Sequence, residues 1–319
     1  MHSLILGSNI FIYSIVFILG AAIGSFLNVV AYRFPKILFD RNYQLISEFL
    51  IEESQKSQRF LSGIKLLDKL LVRKDAVLLL EKKEILPVKG LWYLSTPQSS
   101  CPNCNHKIKF YENIPVLGWL FLKGKCSGCH QKISVQYPII EFLTGLLSVL
   151  VIYRLGLNIE ALCFVFFTWV MISLTLIDLE FRVLPDELTS PMIWLGLILS
   201  YFGVISLSFK VAFLGAIIGY LSLWVINQLA LLILKKEGVG AGDFKLLAMI
   251  GAWQGVGNLF NVILISSIAG AVVGIVVQIL RRKKDNQDDA IPYGPFLALG
   301  SMIVLLCDLN AESFFYLAR

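Results

Sequence analysis

Apolar runs long enough to cross a bilayer dominate this chain and leave it few folds. Uncharged or nearly uncharged stretches fall near residues 10–31, 138–155, 158–177, 190–207, 211–234, 244–257, 258–280 and 291–308. A hydrocarbon core about 30 Å thick takes about 20 apolar residues of helix to cross. In lipid, every backbone N–H and C=O must be satisfied internally, which leaves helices as the natural solution for runs of this length. The pattern predicts an all-α polytopic membrane protein with about eight transmembrane helices. The run at 244–257 is the shortest and carries Gly251, Gly255 and Gly257, so a broken or half-buried helix is expected there.

Composition agrees with this reading. The chain is 57% hydrophobic and 16% charged, against about 45–50% and about 25% for a soluble domain. A formal net charge of +6 over 319 residues is too small to suggest a nucleic-acid partner. In a membrane chain it points instead to basic loops on one side of the bilayer. Residues 1–9 hold no Lys or Arg, so the basic n-region of a cleaved signal is missing. The first run therefore reads as a permanent helix.

Three regions follow: a first transmembrane helix over 10–32, a polar loop domain over 33–136, and a seven-helix membrane domain over 137–309. The loop carries 17 of the 28 Lys and Arg. Short loops orient a membrane chain most reliably. Lys235, Lys236 and Lys245 flank one turn and Arg281, Arg282, Lys283 and Lys284 fill another, whereas Arg154 and Lys210 are the main cations opposite. On an eight-span path the basic turns share a side with the large loop, which should be cytoplasmic, with both termini facing outward. Inside the loop, Leu66, Leu67, Leu70 and Leu71 suggest a short amphipathic helix. Lys283–Asp289 reads as a polar turn.

The six cysteines divide in two. Cys163 and Cys307 lie in apolar runs and read as small buried hydrophobes. Cys101, Cys104, Cys126 and Cys129 form two C-x-x-C pairs in the polar loop. Two such knuckles suit a tetrahedral four-thiolate zinc site. With four protein ligands the metal has no open position, so it should be structural. His106 and His130 follow the knuckles and could substitute as ligands, but four thiols leave them no place.

Two carboxylates stand out. Asp178 closes one span in TLIDLEFRVLPDELT, and Asp243 opens another in GVGAGDFKLLAMIGAW. Two spans separate them, so the chain goes out and returns, and both lie at the expected cytoplasmic ends. One such Asp alone is commonly an interfacial charge. A matched pair at one depth is a functional site by default. Two carboxylates held close share a proton and can act as acid and base on one water. Gly238, Gly240 and Gly242 alternate before Asp243 and leave room for an extended peptide.

Five segments together resemble the type IV prepilin leader peptidases, membrane aspartyl proteases of the GxGD type. They are GSFLNVVAYRFP (Gly24–Pro35), the cysteine region from Pro97 to Gly145, LIDLEFRVLPDELT (Leu176–Thr189), GAGDFKLLAMIGAW (Gly240–Trp253) and PYGPFLALG (Pro292–Gly300), in the family's order. The resemblance implies an endopeptidase that cuts the basic leader from type IV prepilins or type II secretion pseudopilins. The cut falls on the cytoplasmic side, between Gly and Phe. Many members then methylate the new N-terminus with S-adenosylmethionine, a peptidase without that second activity being the alternative, and the resemblance implies the inner membrane of a bacterium. The family's catalytic aspartates match Asp178 and Asp243, and its metal ligands match the four knuckle cysteines. A basic leader would suit an anionic pocket, for which Glu141, Glu180 and Asp186 are the candidates.

Two departures from the family stand in the sequence. The stretch between Pro35 and Cys101 is longer than usual, and Glu180 occupies a position where many relatives have Asp, which makes Asp186 the alternative first acid. Near the first span, Ser25 and Asn28 read as packing residues and Arg33 as an interfacial anchor. Readings outside this class are an ion-coupled transporter, which would want its acids near the bilayer midplane, and a scaffold, which would need neither.

Overall fold

The computed structural model describes residues 2–61, 91–96, 98–235, 238–280 and 292–307. Its main helices are α1 (His2–Leu61), α2 (Leu117–Phe121), α3 (Gln136–Leu155), α4 (Ile159–Phe181), α5 (Asp186–Tyr201), α6 (Phe209–Leu234), α7 (Ala241–Gln254), α8 (Val256–Leu280) and α9 (Gly294–Cys307). Among the described residues there is no strand, only two isolated β-bridges. The expected amphipathic helix around residues 66–71 and the basic residues Lys236 and Arg281–Lys284 lie outside the described residues.

Each of the eight apolar runs contains a helix, but they are unequal. Five helical stretches are long and apolar enough to cross a membrane: Ile10–Arg41 within α1, all of α3 and α4, Phe209–Ile233 within α6 and Val256–Ile279 within α8. The other three, α5, α7 and α9, have 16, 14 and 14 residues. At 1.5 Å per residue they reach only about 21–24 Å. The first run also differs from expectation at its far end. α1 does not stop near residue 32 but continues unbroken to Leu61, through Pro35.

The chain divides into two compact units. One comprises residues Met1–Ala31 and Ser100–Arg319, the other Tyr32–Ser99. In the second unit the 3₁₀ turn Leu91–Leu94 folds back on α1: Arg33 donates to the carbonyls of Tyr93 (3.0 Å) and Leu94 (3.4 Å), and its guanidinium lies 5.3 Å from the Tyr93 ring centroid. Arg33 therefore joins two segments of chain, a role the sequence did not indicate.

The first unit is built around α7. Eleven of its 14 residues are buried, including Asp243 and Phe244 and the whole stretch Leu246–Gln254. A helix apolar all round belongs in the middle of a bundle, and α7 is enclosed by α5, α6, α8 and α9. It meets α6 backbone to backbone. A Cβ at Gly215 would strike the carbonyl of Gly251, one at Gly251 would strike the carbonyl of Gly215, and one at Gly219 would lie 2.6 Å from the carbonyl oxygen of Leu247. Lipid offers little hydrophobic drive between helices, so close packing through small residues is what holds such pairs together.

At the other end of α7, Trp253 is sandwiched in the core. Its ring centroid lies 5.0 Å from that of Phe167 and 5.7 Å from that of Phe164, and its indole N–H donates to the carbonyl of Met192 at 2.8 Å. Gly196 of α5 makes the space, since a Cβ there would sit 2.7 Å from the indole. α7 then ends at Gly255, which at φ +82 takes a backbone conformation that other residues resist. α8 begins at the next residue, so the break falls at the end of α7, which is itself continuous and almost wholly buried rather than the broken or half-buried helix expected for this run. α1 and α3 pack by the same device: Gly20 and Gly24 face Gly145, Thr144 and Ser148.

Replacing Gly251 with Val should separate α6 from α7. The expected outcome is a loss of at least about 3 kcal/mol of stability or failure to accumulate, as for overpacking a full core. Thermal melting in detergent measures it, with Gly257→Val, where a Cβ meets nothing within 4 Å, as the tolerated control.

Candidate active site and cysteine knuckles

Asp178 sits one turn from the end of α4. The helix closes when Arg182 enters the left-handed region at φ +56 and its N–H caps the carbonyl of Asp178 at 2.9 Å. Asp243 sits in the first turn of α7, where its own N–H donates to Gly240, the N-cap, at 3.1 Å. The two carboxylates thus come from a helix end and a helix start. Both are buried, at 5% and 8% exposure, and they are close enough to interact electrostatically. Among the described residues no lysine or arginine pairs with either one.

Leu184 locates their meeting point. A Cβ at Gly242 would lie 2.8 Å from Leu184 Cβ, and one at Gly294 would lie 2.5 Å from Asp178 Oδ2 and 3.4 Å from Leu184 Cδ1. The backbone N–H of Gly294 donates to Asp178 Oδ2 at 3.1 Å. Gly294 itself is placed by Tyr293, whose hydroxyl lies 2.8 Å from Ser266 Oγ and 3.2 Å from Ser267 Oγ of α8.

The glycine turn before Asp243 is held from α6. Asn227 Oδ1 accepts from the N–H groups of Gly238 (2.9 Å) and Val239 (3.2 Å). Asn227 is itself buried. A lone Asn inside an apolar span is a warning sign in any membrane sequence, and that signal could have found it. The sequence reading gave no role to Asn227, Tyr293 or the Gly294 N–H.

The three acids considered for an anionic pocket have different surroundings. Asp186 is exposed and paired with Lys245 at 2.6 Å through both oxygens. Glu180 is exposed on the last turn of α4. Glu141 is buried at the start of α3, where its Oε2 accepts from the N–H of Val116 at 2.6 Å and its carboxylate bonds Ser25. It ties α1, α3 and the cysteine region together.

The cysteine region consists of two copies of one local structure. In the first, Cys101 N–H donates to the His106 carbonyl (2.9 Å), Asn105 N–H to the Cys101 carbonyl (2.9 Å), and Ser100 bridges Lys107. In the second, Cys126 N–H donates to the Gln131 carbonyl (2.9 Å), His130 N–H to the Cys126 carbonyl (2.9 Å), and Lys125 bridges Lys132. Asn105 and His130, at equivalent positions, have φ +55 and +57. The four sulfurs lie within 4.8 Å of one another, with Cys101 to Cys129 at 3.7 Å and Cys104 to Cys126 at 3.9 Å.

Backbone N–H groups of Asn103 and Cys104 pull the Cys101 thiol down to about 6, and those of Cys129 and Gly128 lower Cys126. They favour the thiolate, which is the ligating form. Cys104 is different: the His106 N–H also favours its thiolate, yet desolvation and the other three sulfurs push it up to about 12. Four thiolates in this space need a cation among them. His106 is not one of the clustered ligands. Its Nε2 lies 3.2 Å from Glu112 and 3.0 Å from Ser127 Oγ.

Fold and site together define a polytopic membrane protein with a buried aspartate pair and a four-cysteine knuckle pair. Residues 18–155 match the Bacterial Peptidase A24 N-terminal domain, and residues 165–275 match the Type IV leader peptidase family. The chain belongs to the type IV leader peptidase family. It is 39% identical to a prepilin leader peptidase/N-methyltransferase of Stutzerimonas stutzeri, over 95% of this chain and 93% of that protein. It is 41% identical to one of Pseudomonas putida, over 91% and 88%, and 35% identical to one of Legionella pneumophila, over 96% and 94%. No solved structure matches it.

Asn227→Leu should release the turn before Asp243 while α6 stays apolar. Two lost bonds at about 1 kcal/mol each predict roughly tenfold or greater acceleration of amide exchange at Gly238 and Val239, measured by hydrogen–deuterium exchange.

Proposed function

We propose that the protein is a membrane aspartyl endopeptidase in which Asp178 and Asp243 are the catalytic pair. It removes the basic leader from type IV prepilins or type II secretion pseudopilins on the cytoplasmic side, at a Gly–Phe bond, and then methylates the new N-terminus. The observation that carries the peptidase reading is the meeting of two buried carboxylates, without a cation partner among the described residues, beside a glycine-rich turn. The helix-end position of both acids also fits a substrate cut at the membrane surface better than an ion path through the midplane. Asp186, consumed by Lys245, is the poorer candidate for the first acid.

The chemistry follows from one proton shared by the pair. The ionised carboxylate takes a proton from a water between the two acids, and the water oxygen adds to the scissile carbonyl carbon. The protonated carboxyl gives its proton to the carbonyl oxygen. The tetrahedral adduct then collapses: the C–N bond breaks, the amine leaves with the proton taken from the water, and a second proton returns to the pair. Gly294 N–H, bonded to Asp178 Oδ2, orients that carboxylate and limits which oxygen faces the water. The bare glycines at 240 and 242 let an extended peptide approach.

The four cysteines are the proposed zinc ligands. Zn–S bonds of about 2.3 Å in a regular tetrahedron separate the sulfurs by about 3.8 Å, and the two close pairs here are at 3.7 and 3.9 Å. The ion, when bound, supplies charge that fixes the two knuckles and takes no part in proteolysis. Methyl transfer, with S-adenosylmethionine as donor, rests on the relatives' names alone, and no residue is assigned to it.

Cleavage of a pilin precursor in membranes tests the reading. Asp178→Asn and Asp243→Asn, at levels equal to the parent, should each lose at least about a hundredfold in rate. Cleavage that survives either change refutes the pair. If Asp178→Asn cleaves and Asp186→Asn does not, the first acid is Asp186. A second prediction concerns the knuckles: purified chain should carry one zinc, and Cys126→Ser should lose it, read by elemental analysis. Retention of stoichiometric zinc in that variant would overturn the ligand set.

A further inference from the structure

The knuckle region shows its apolar side chains outward. Phe110 is 90% exposed and Phe121 76%, with Tyr111, Leu117 and Leu120 also exposed. This is not a poorly packed loop, because the same segment holds other groups tightly inward. Gly118 is buried against the Glu112 carbonyl, leaving no space for a Cβ. Trp119 turns in, with its indole N–H on the Ile133 carbonyl at 3.3 Å and its ring over Gly124. The fold turns its tryptophan partly inward and presents its phenylalanines.

That face continues onto a membrane span. Val116, Trp119 and Leu120 from the knuckle region and Ile139, Phe142 and Leu143 from α3 line one apolar groove of about 330 Å³. Ile139, Phe142 and Leu143 are exposed on α3, which is long and apolar enough to cross a membrane. The bond from Val116 N–H to Glu141 fixes α2 to the start of that span. Lys107 and Lys109 precede Phe110, Lys123 and Lys125 follow Phe121, and Lys132 stands in the second knuckle, all exposed. The one acid between Cys101 and Val135 is Glu112, bonded to His106 and to the Lys109 N–H. Five cations against one acid leave the rim basic even if a four-thiolate zinc centre contributes two negative charges.

An apolar helix face flanked by lysines at the end of a span is the composition of an interfacial membrane element. We propose that the knuckle region is one. α2, with Phe110 and Phe121, lies in the headgroup–acyl boundary of the leaflet where α3 begins, a phospholipid acyl chain fills the groove beside α3, and the lysine rim holds anionic headgroups. The proposal goes beyond the peptidase reading and rests only on α3 spanning the bilayer. It assigns the cysteine knuckles a mechanical role: they hold a membrane-docking surface at a fixed place beside the helices.

Photolabelling of the full-length chain tests this. Phe121 is replaced by p-benzoylphenylalanine, and the protein is reconstituted in vesicles of phosphatidylethanolamine and phosphatidylglycerol and irradiated. Phe166, exposed on α4, carries the same probe as the in-membrane control, and both variants must melt at the parent's midpoint. The expected result is a phospholipid-mass adduct at 121 within a few-fold of that at 166, falling by about twofold or more when phosphatidylcholine replaces phosphatidylglycerol. A lipid adduct at 166 with none at 121, or a crosslink from 121 to another segment of this chain or to a pilin, overturns the proposal. An adduct yield indifferent to phosphatidylglycerol overturns the lysine rim. Absence of lipid at both positions removes the membrane reading of the helices, and the proposal with it.

Discussion

The contact between Gly215 of α6 and Gly251 of α7 is the constraint on which the membrane unit depends. Two helix backbones meet there with no side chain between them. Because α7 approaches α6 that closely, it can be buried on every side although it is only 14 residues long. Its position in turn fixes Asp243 in its first turn and Trp253 in its last. The Trp253 indole, packed on Phe167 and bonded to Met192, resists sliding of α7 along its axis. Packing at one end of the helix therefore sets the location of a carboxylate at the other.

Burying two carboxylates with no cation beside them among the described residues is expensive, of order several kcal/mol for each if charged. The surroundings reduce that cost with backbone N–H groups. Gly294 donates to Asp178, and Asn227 organises the turn that leads to Asp243. None of these groups brings a full charge that would neutralise the pair. The arrangement suits chemistry in which a proton must move between the acids, and it would be a poor choice for structural stability alone.

The two knuckles illustrate a different economy. The same hydrogen bonds, bridge and positive-φ residue occur at Cys101–Lys107 and Cys126–Lys132. Each half presents two sulfurs over its own backbone N–H groups. Bringing two halves face to face creates four convergent sulfurs without a large core. Glu141 and Ser25 then link this small structure to α3 and α1.

Much of this was legible in the chain itself. Hydropathy gave the helices, because a bilayer penalises any other use of long apolar runs. Spacing singled out the four cysteines whose sulfurs the structure brings together, because a C-x-x-C knuckle is a local structure. Residue type and position marked Asp178 and Asp243, because ionisable groups in apolar helices are costly without a purpose. Relations between distant segments were not legible. The sequence ended the first helix near residue 32, where polarity begins, but Arg33 and the turn at Leu91–Leu94 show that the chain packs on itself beyond that point. It grouped Glu141 and Asp186 with the acids, but tertiary contacts use the first to bind Val116 and the second to bind Lys245. It also offered no means of seeing that Gly294 lies on Asp178, or Asn227 on the glycine turn. Local chemistry and solvent preference are written residue by residue, and so the sequence alone determined the class of protein and its principal acids and thiols. Which backbone groups meet those side chains depends on how closely the helices pack, and only the tertiary structure decided that.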